Sequence, residues 1–401
     1  MKTKVKIISV FLLSIIIIGC NNAKNPDVYL QKVLENLEKI ESATYFLTRE
    51  SWQPGDTAAS RSYNFFFKEY DNPKDTTIGA SFVWFDADNT AVFEIAYDGN
   101  IRASTYHEEK RLVINDFSSN QLPFRPIAPP FFNYVKNIIS YALNTEDSIS
   151  VTLEDLGDDY YFKLIINEDR QIEFFGKAYR MPGSVPFDDP TSIYELWISK
   201  SNDLPYKYRR EMSHSISVET CFDIEYNKMS TADFNIYSYF PEDYELRQYE
   251  EFLNVVYTSN LIDKKAPEWI LKDTKDQDVS LSELKSKVLL VNFTGIGCGV
   301  CVLSIPFLNE LSSNYNINDF ELIGIETWSG KLGSVKNYAA QHALNYRILS
   351  GTSDLAKEYE TGGFAPFFFV LDDQRIIRNV IKGYSQGTTE KEIRDAIAEL
   401  L

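Results

Sequence analysis

Val288-Leu-Leu-Val-Asn-Phe-Thr-Gly-Ile-Gly-Cys298-Gly-Val-Cys301 decides how the rest of this 401-residue chain is read. Val288 to Phe293 is a short run of apolar and β-branched residues, the pattern of a strand buried on both faces. Gly295 and Gly297 punctuate the turn after it, and Val302, Ile305, Leu308 and Leu311 then recur at helical spacing. Cys298 therefore falls at a helix N-terminus, where unpaired backbone N–H groups and the helix dipole favour an anion. A thiolate forms more readily there, and the thiolate is the species that attacks disulfides. Cys301, one turn on, can close back on Cys298. The spacing alone also admits a structural disulfide or half of a zinc site. A four-thiolate zinc site needs a second close pair, and the other cysteines, Cys20 and Cys221, lie far apart. Redox chemistry accounts best for strand, turn and helix together.

The residues beyond this helix continue the alternation. Phe320–Glu326 reads as a strand and Ser334–Ala343 as a helix. Thr361-Gly-Gly-Phe-Ala-Pro366 leads directly into the apolar run Phe367–Leu371, then a strand at Ile376–Ile381 and a closing amphipathic helix from Thr389 to Leu401. Alternating strands and helices make an α/β layer fold. Pro366 would be unwelcome mid-sheet; it suits the cis proline of a tight turn beside the cysteines.

On these stretches residues 262–401 resemble a thioredoxin-fold domain of the TlpA-like, redoxin-related thiol–disulfide oxidoreductases. Ala266-Pro-Glu-Trp-Ile-Leu-Lys-Asp, the lead from Val279 to Phe293, Tyr338-Ala-Ala-Gln-His-Ala-Leu-Asn-Tyr and the Phe-Ala-Pro loop carry the likeness. The resemblance implies a nucleophile at Cys298, a resolving thiol at Cys301 and a cis peptide between Ala365 and Pro366. It also implies a substrate groove around Gly297, Gly299, Val300 and Ala365. Its partners would be a disulfide-bearing client protein and an upstream thiol reductant, with no cofactor and no metal. Three positions depart from the family pattern. Gly297 stands where an aromatic residue usually precedes the first cysteine, so one groove wall is missing or comes from elsewhere. Ser304 replaces a frequent Glu, and Asn292 occupies the place of thioredoxin's buried acid. Proton transfer at Cys301 then lacks an obvious carboxylate. Glu326 is the nearest candidate, against the plainer expectation that it is a solvated charge at a strand end.

The N-terminus reads as a targeting signal. Lys2, Lys4 and Lys6 precede an apolar run from Ile7 to Ile18, too short for the roughly 20 residues of a membrane-spanning helix. Ile17-Ile-Gly-Cys20 resembles a bacterial lipoprotein cleavage box, with an ordinary signal cleavage as the alternative. Residues 1–19 are thus expected to be a signal peptide and 20–26 a tether lipidated on Cys20, anchored firmly by more than one acyl chain. The resemblance places the mature chain in the bacterial cell envelope, facing the periplasm or exterior. Asn21, rather than Asp, follows Cys20, which favours the outer membrane in a Gram-negative cell. An exported chain works where disulfides persist.

Residues 27–240 read differently. Asn25-Pro26-Asp27 has the form of N-cap, first-turn proline and acidic first turn, and Leu30, Val33, Leu34, Leu37 and Ile40 share one helical face. Short strand patterns then recur from Thr44 to Tyr226, interrupted by a proline-rich loop (Pro123 to Pro130) and a helix near Phe131–Leu143. Asp98-Gly99-Asn100 and the Asn167–Arg170 stretch mark hairpin turns. The expectation is a mainly antiparallel β domain of α+β type. Its order is similar to the half-barrels of LolA/LolB-like lipoprotein carriers, with Tyr194–Pro205 and Tyr239-Phe240-Pro241 as the matching units. That resemblance implies a concave apolar face; an ordinary filled core is the alternative. Residues 241–261, with Tyr249, Phe252, Leu253 and Val256, read as a helical linker to the second domain.

Forty basic and 58 acidic side chains give a net charge of −18, which excludes a general nucleic-acid binder. Three scattered histidines, His107, His214 and His342, lack metal-ligand spacing. Gly295 and Val291 occupy the positions where a redoxin peroxidase needs Thr or Ser and Pro. Cys221, alone in an alternating strand pattern, reads as a small buried hydrophobe, with a partner thiol as the alternative. Two functions remain. One is a membrane-anchored thiol–disulfide oxidoreductase that reduces disulfides of exported proteins. The other is an envelope carrier for an apolar ligand, with the redox domain auxiliary.

Overall fold

The computed structural model describes residues 25–118, 127–181, 190–249 and 259–401. Cys20, the signal segment and the first half of the proline-rich loop (123–126) lie outside the described residues.

Helix α1 (Pro26–Leu37) begins as its sequence dictates, with the Asn25 side chain accepting from Asp27 N–H. Its apolar face and helix α2 (Phe131–Asn144) cover one side of a twelve-stranded sheet. The strands are β1 (Ser42–Trp52), β2 (Arg61–Asp71), β3 (Ala80–Asp86), β4 (Ile95–Tyr97), β5 (Arg102–Tyr106), β6 (Arg111–Asn115), β7 (Ile149–Asp155) and β8 (Asp159–Ile166). They continue, after the small β9–β10 pair (Ile172–Phe174, Ala178–Arg180), with β11 (Ser192–Ser199), β12 (Leu204–Met212), β13 (Ser215–Tyr226) and β14 (Glu245–Gln248). The order across the sheet is β14-β6-β5-β4-β3-β2-β1-β13-β12-β11-β8-β7. All neighbours run antiparallel except β14, which lies parallel to β6. Within β1–β6, β7–β8 and β11–β13, strands that follow one another in sequence are neighbours in space, because short turns join antiparallel strands.

The side of this sheet turned toward the helices is filled rather than hollow. Tyr45, Leu47, Phe67, Phe162, Leu164, Tyr194 and Leu196 pack there against Leu30, Val33, Phe131 and Ile138, all essentially inaccessible to water. Pro130 gives α2 no side-chain cap. Glu69 of β2 supplies one instead, accepting from Phe132 N–H at 3.1 Å, Asn133 N–H at 2.7 Å and the Tyr45 hydroxyl at 2.8 Å. Burial pushes its pKa up to about 7 despite these donors. By strand alternation Trp52, Trp197, Lys207, Arg209 and Glu211 fall on the opposite face, where they line a cavity of about 470 Å³. That lining is charged as much as apolar. Cys221 is buried in the filled core as a free thiol, its pKa driven upward by burial. Its reading as a small core residue fits this site.

One element needs correction. Residues 245–248, expected inside a helical linker, form edge strand β14, because the edge of β6 offers unpaired backbone groups that an extended segment satisfies. Residues 250–258 lie outside the described residues.

The C-terminal sheet has seven strands: β15 (Ile270–Asp273), β16 (Asp278–Ser280), β17 (Val288–Thr294), β18 (Phe320–Glu326), β19 (Arg347–Ser350), β20 (Phe367–Leu371) and β21 (Ile377–Lys382). Their order is β16-β15-β19-β18-β17-β20-β21. Helices α3 (Gly299–Asn314), α4 (Leu332–Gln341), α5 (Ser353–Glu358) and α6 (Thr388–Ala398) complete it. The parallel β17–α3–β18 unit and the antiparallel β20–β21–α6 unit meet at β17, which gives the thioredoxin topology. Strand β17 is buried along its whole length. Leu289, Val291 and Phe293 face one core, with Trp269, Tyr359 and Phe369. Val288 and Leu290 face the other, against Phe307, Leu308, Ile393 and Ile397 of α3 and α6. Two covered faces explain a continuous apolar run where a half-exposed strand would alternate.

Candidate active site

Buried strand β17 delivers Gly295-Ile-Gly297-Cys298 to the C-terminal end of the sheet, and α3 starts there. Cys298 is the N-cap residue of α3 and forms a disulfide with Cys301 in the first turn. Its Sγ accepts from Cys301 N–H at 3.1 Å, so the free amides of the helix start point at this sulfur. Cys298 keeps 7 % of its surface exposed and Cys301 only 1 %. Cys298 is therefore the outer residue of the pair. The Ala365–Pro366 peptide is cis, and the Ala365 carbonyl oxygen lies 3.6 Å from Cys298 Sγ. Gly299, Val300 and Ala365 border the same spot; Val300 is 43 % exposed, and Phe364, next to Ala365, 45 %. The sequence-predicted residues Gly297, Cys298, Gly299, Val300, Cys301, Ala365 and Pro366 therefore come together.

Two residues complete the site that sequence reading did not find. Gly297 has φ +84°, a backbone region that side-chain-bearing residues rarely adopt, so an aromatic residue is disfavoured there. The ring comes instead from Trp328, after β18. A Cβ on Gly295 would sit 2.2 Å from Trp328 Cδ2, so this glycine is what lets the indole lie against the cysteine loop. Trp328 Nε1 donates to Gly363 O at 2.9 Å, tying the cysteine loop's neighbour to the loop before Pro366. The second is Arg61 of β2. Its Nη2 donates to Ile296 O at 3.1 Å, and its guanidinium lies 5.1 Å from the Trp328 ring centroid. Nothing local in the sequence links residue 61 to residue 296; only the sheet docking does.

Glu326 is a correction. It is fully buried, not a solvated strand end. Oε1 accepts from Ile296 N–H at 3.2 Å and Trp328 N–H at 2.8 Å, and both oxygens accept from Ser329 N–H. Oε2 also takes the Ser329 hydroxyl at 2.8 Å and Gly330 N–H at 3.3 Å. One carboxylate thus holds the cysteine loop and the Trp328 turn in a fixed relation, using its charge to strengthen bonds to backbone donors. Asn292 lies under the site, 2 % exposed, with its Oδ1 buried and unpartnered among the described residues. Ser304 donates to Cys301 O at 2.7 Å, a helix-internal bond. Among the described residues no group of His, Cys, Asp and Glu is arranged to hold a metal ion.

A seam of polar contacts joins the two sheets beside this site. Asp56, in the β1–β2 turn, accepts from Ser334 Oγ at 3.1 Å and Asn337 Nδ2 at 2.9 Å, both on α4. Lys331 donates to Ala59 O, and Gln341 donates to Ser213 O in the β12–β13 turn. His214 in that turn is held far below the usual imidazole range, at about 3, by burial first and then by Arg210 and His342.

Residues 262–397 match the family model described as Redoxin. The thiol-disulfide oxidoreductase ResA of Bacillus cereus is 26% identical over 137 residues, covering 32% of this chain and 79% of that protein. ResA of Geobacillus kaustophilus is 27% identical over 126 residues, covering 31% and 72%. Among solved structures, a putative protein disulfide isomerase from Bacteroides thetaiotaomicron is 23% identical, covers 34% of this chain and 90% of its own, and has a TM-score of 0.31. A putative thiol:disulfide interchange protein DsbE from Chlorobium tepidum is 21% identical, covers 35% and 99%, and has a TM-score of 0.30. These matches fall within the C-terminal third, and the LolA/LolB-like reading of the first sheet has no counterpart among them. The C-terminal third of the chain is a redoxin domain, and the protein is a thiol–disulfide oxidoreductase of the thioredoxin-fold type.

Proposed function

We propose that this oxidoreductase works in the bacterial envelope, tethered by a lipid on Cys20, and reduces disulfides of exported proteins through Cys298 and Cys301. In this reading residues 27–240 are the β domain and 262–401 the redox domain. The observation that carries the chemistry is Cys298 at the start of α3, bonded to Cys301 and facing the cis Ala365–Pro366 peptide.

In the reduced protein the Cys298 thiolate attacks one sulfur of the client disulfide. The client S–S bond breaks, a client thiolate leaves and takes up a proton, and a mixed disulfide forms. Cys301 then loses its proton and attacks Cys298 Sγ. The mixed disulfide breaks, the second client thiol departs, and two electrons have passed to the client. The internal disulfide that remains is reset by an upstream thiol reductant. Pro366 carries no N–H, so the neighbouring backbone is left open for a client segment to lie alongside as a short extended strand. Val300, Phe364 and Trp328 give that segment apolar contacts.

Cys301→Ser should accumulate mixed disulfides with client proteins, and Cys298→Ser should accumulate none. Faster alkylation of Cys301 than of Cys298 in the folded, reduced protein would reverse the assigned roles. Cys20→Ser should leave the protein unprocessed or released from membranes; a Cys20→Ser chain still cleaved and membrane-bound would remove the lipid anchor from the proposal.

A further inference from the structure

We infer that Arg61, from the β domain, is a positioning residue of the dithiol site: it orients the Ile296–Cys298 turn and favours the Cys298 thiolate. The inference rests on the dithiol roles proposed for Cys298 and Cys301. Arg61 Nη2 donates to Ile296 O at 3.1 Å, and a Cβ built on Gly297 would lie 3.6 Å from the same nitrogen. A permanent cation thus sits one residue from the outer cysteine. The guanidinium also lies over Trp328, the ring that packs on Gly295. Its placement is not explained by packing alone, because Arg61 Nε is buried without an acceptor among the described residues, an arrangement that costs stability. Asp56, Ser334, Asn337 and Lys331 hold the hairpin that carries Arg61 against α4 and its preceding turn. Among the described residues, charged groups on the adjoining elements include Glu326, bonded to Ile296 N–H, Lys331, bonded to Ala59 O, and Lys382, over the Phe364 ring.

The consequence is electrochemical. Reduction of the Cys298–Cys301 disulfide takes up two electrons and one proton when it yields a thiolate at Cys298 and a thiol at Cys301. A neighbouring cation stabilises that reduced form and makes the couple more oxidising. Losing it should raise the Cys298 pKa by about one unit, and a tenfold change in the two-electron equilibrium is about 30 mV.

The experiment compares the full chain with Arg61→Gln, which keeps a donor for Ile296 O but no charge, and Arg61→Lys, which keeps charge without the planar fork. Thiolate absorbance against pH gives the Cys298 pKa, and equilibration with glutathione gives the potential. Arg61→Gln should raise the pKa by about one unit and lower the potential by about 30 mV, with Arg61→Lys recovering most of both. Circular dichroism establishes that each chain is folded. If Arg61→Gln unfolds, Arg61→Lys still decides: a charge-bearing variant whose pKa moves as far as it would on losing the cation overturns the inference. Wild-type values in Arg61→Gln overturn it too, whatever happens to thermal stability. If instead Cys301 proves to be the low-pKa thiol in the wild type, it is the dithiol assignment that fails.

Discussion

Replacing Glu326 by Gln tests whether this carboxylate is the clamp under the cysteine loop. Glu326 accepts from the N–H groups of Ile296, Trp328, Ser329 and Gly330 and from the Ser329 hydroxyl. Either orientation of a Gln amide turns an NH₂ toward N–H donors that previously met an oxygen. At least one or two backbone donors are then left without an acceptor, at about 1–3 kcal/mol each for a buried group. Ile296 is fully buried, whereas Gly330 is exposed, so the cost is about 2–4 kcal/mol rather than the sum over all donors. The loss is local to the loop that ends at Cys298. Hydrogen exchange of the segment 295–301 should therefore quicken by roughly 30- to 1,000-fold, since about 1.4 kcal/mol is a factor of ten in an opening equilibrium. Urea unfolding should shift to lower midpoint in the same variant. If Glu326 instead served as the proton acceptor for Cys301, the Gln variant would keep its stability and loop protection while the pH dependence of client release moved. Exchange and unfolding within about 0.5 kcal/mol of the wild type would refute the clamp.

Two further outcomes rest on the same geometry. Gly295→Ala drives a methyl group into the Trp328 ring and should cost about 1–3 kcal/mol by overpacking, with a change in tryptophan fluorescence; the cost should largely vanish in a Trp328→Ala background, and its persistence there would mean that Gly295 serves the backbone instead. His214 is neutral in the folded protein because its pKa is depressed to about 3, so the stability it contributes is whole above about pH 6.5 and drains away as pH falls toward 3. At pH 5 the deficit should be about 1–2 kcal/mol after allowance for partial solvent contact, and His214→Gln should flatten that part of the stability profile; a profile unchanged by the substitution would assign the acid sensitivity elsewhere.

Much of the C-terminal architecture was legible because its signals are local. Val288 to Phe293 could be recognised as a doubly covered strand from composition alone, and the helix after Cys301 from its spacing. Asn25-Pro26-Asp27 announced α1 through capping chemistry that involves only neighbouring residues. Strand β14 was misread as helix because Leu246 and its neighbours carry no alternation of their own; pairing with β6 decided their conformation. Glu326 was misread for the same reason. A carboxylate at a strand end is ordinarily solvated, and what buries this one is a set of backbone donors that includes a loop some thirty residues away.

The sequence by itself determined the chemistry: two cysteines at a helix start, the proline loop, and the strand that aims them. The environment of that chemistry was decided only in three dimensions. Trp328 stands in for the aromatic residue that Gly297 displaced, and Arg61 reaches the cysteine loop across 235 residues of chain. Such contacts leave no periodic or spacing signal: the Trp328 contact depends on β17 and β18 lying side by side, and the Arg61 contact on the docking of two sheets. Short-range patterns encode elements, and the packing of those elements against one another selects which side chains meet at Cys298.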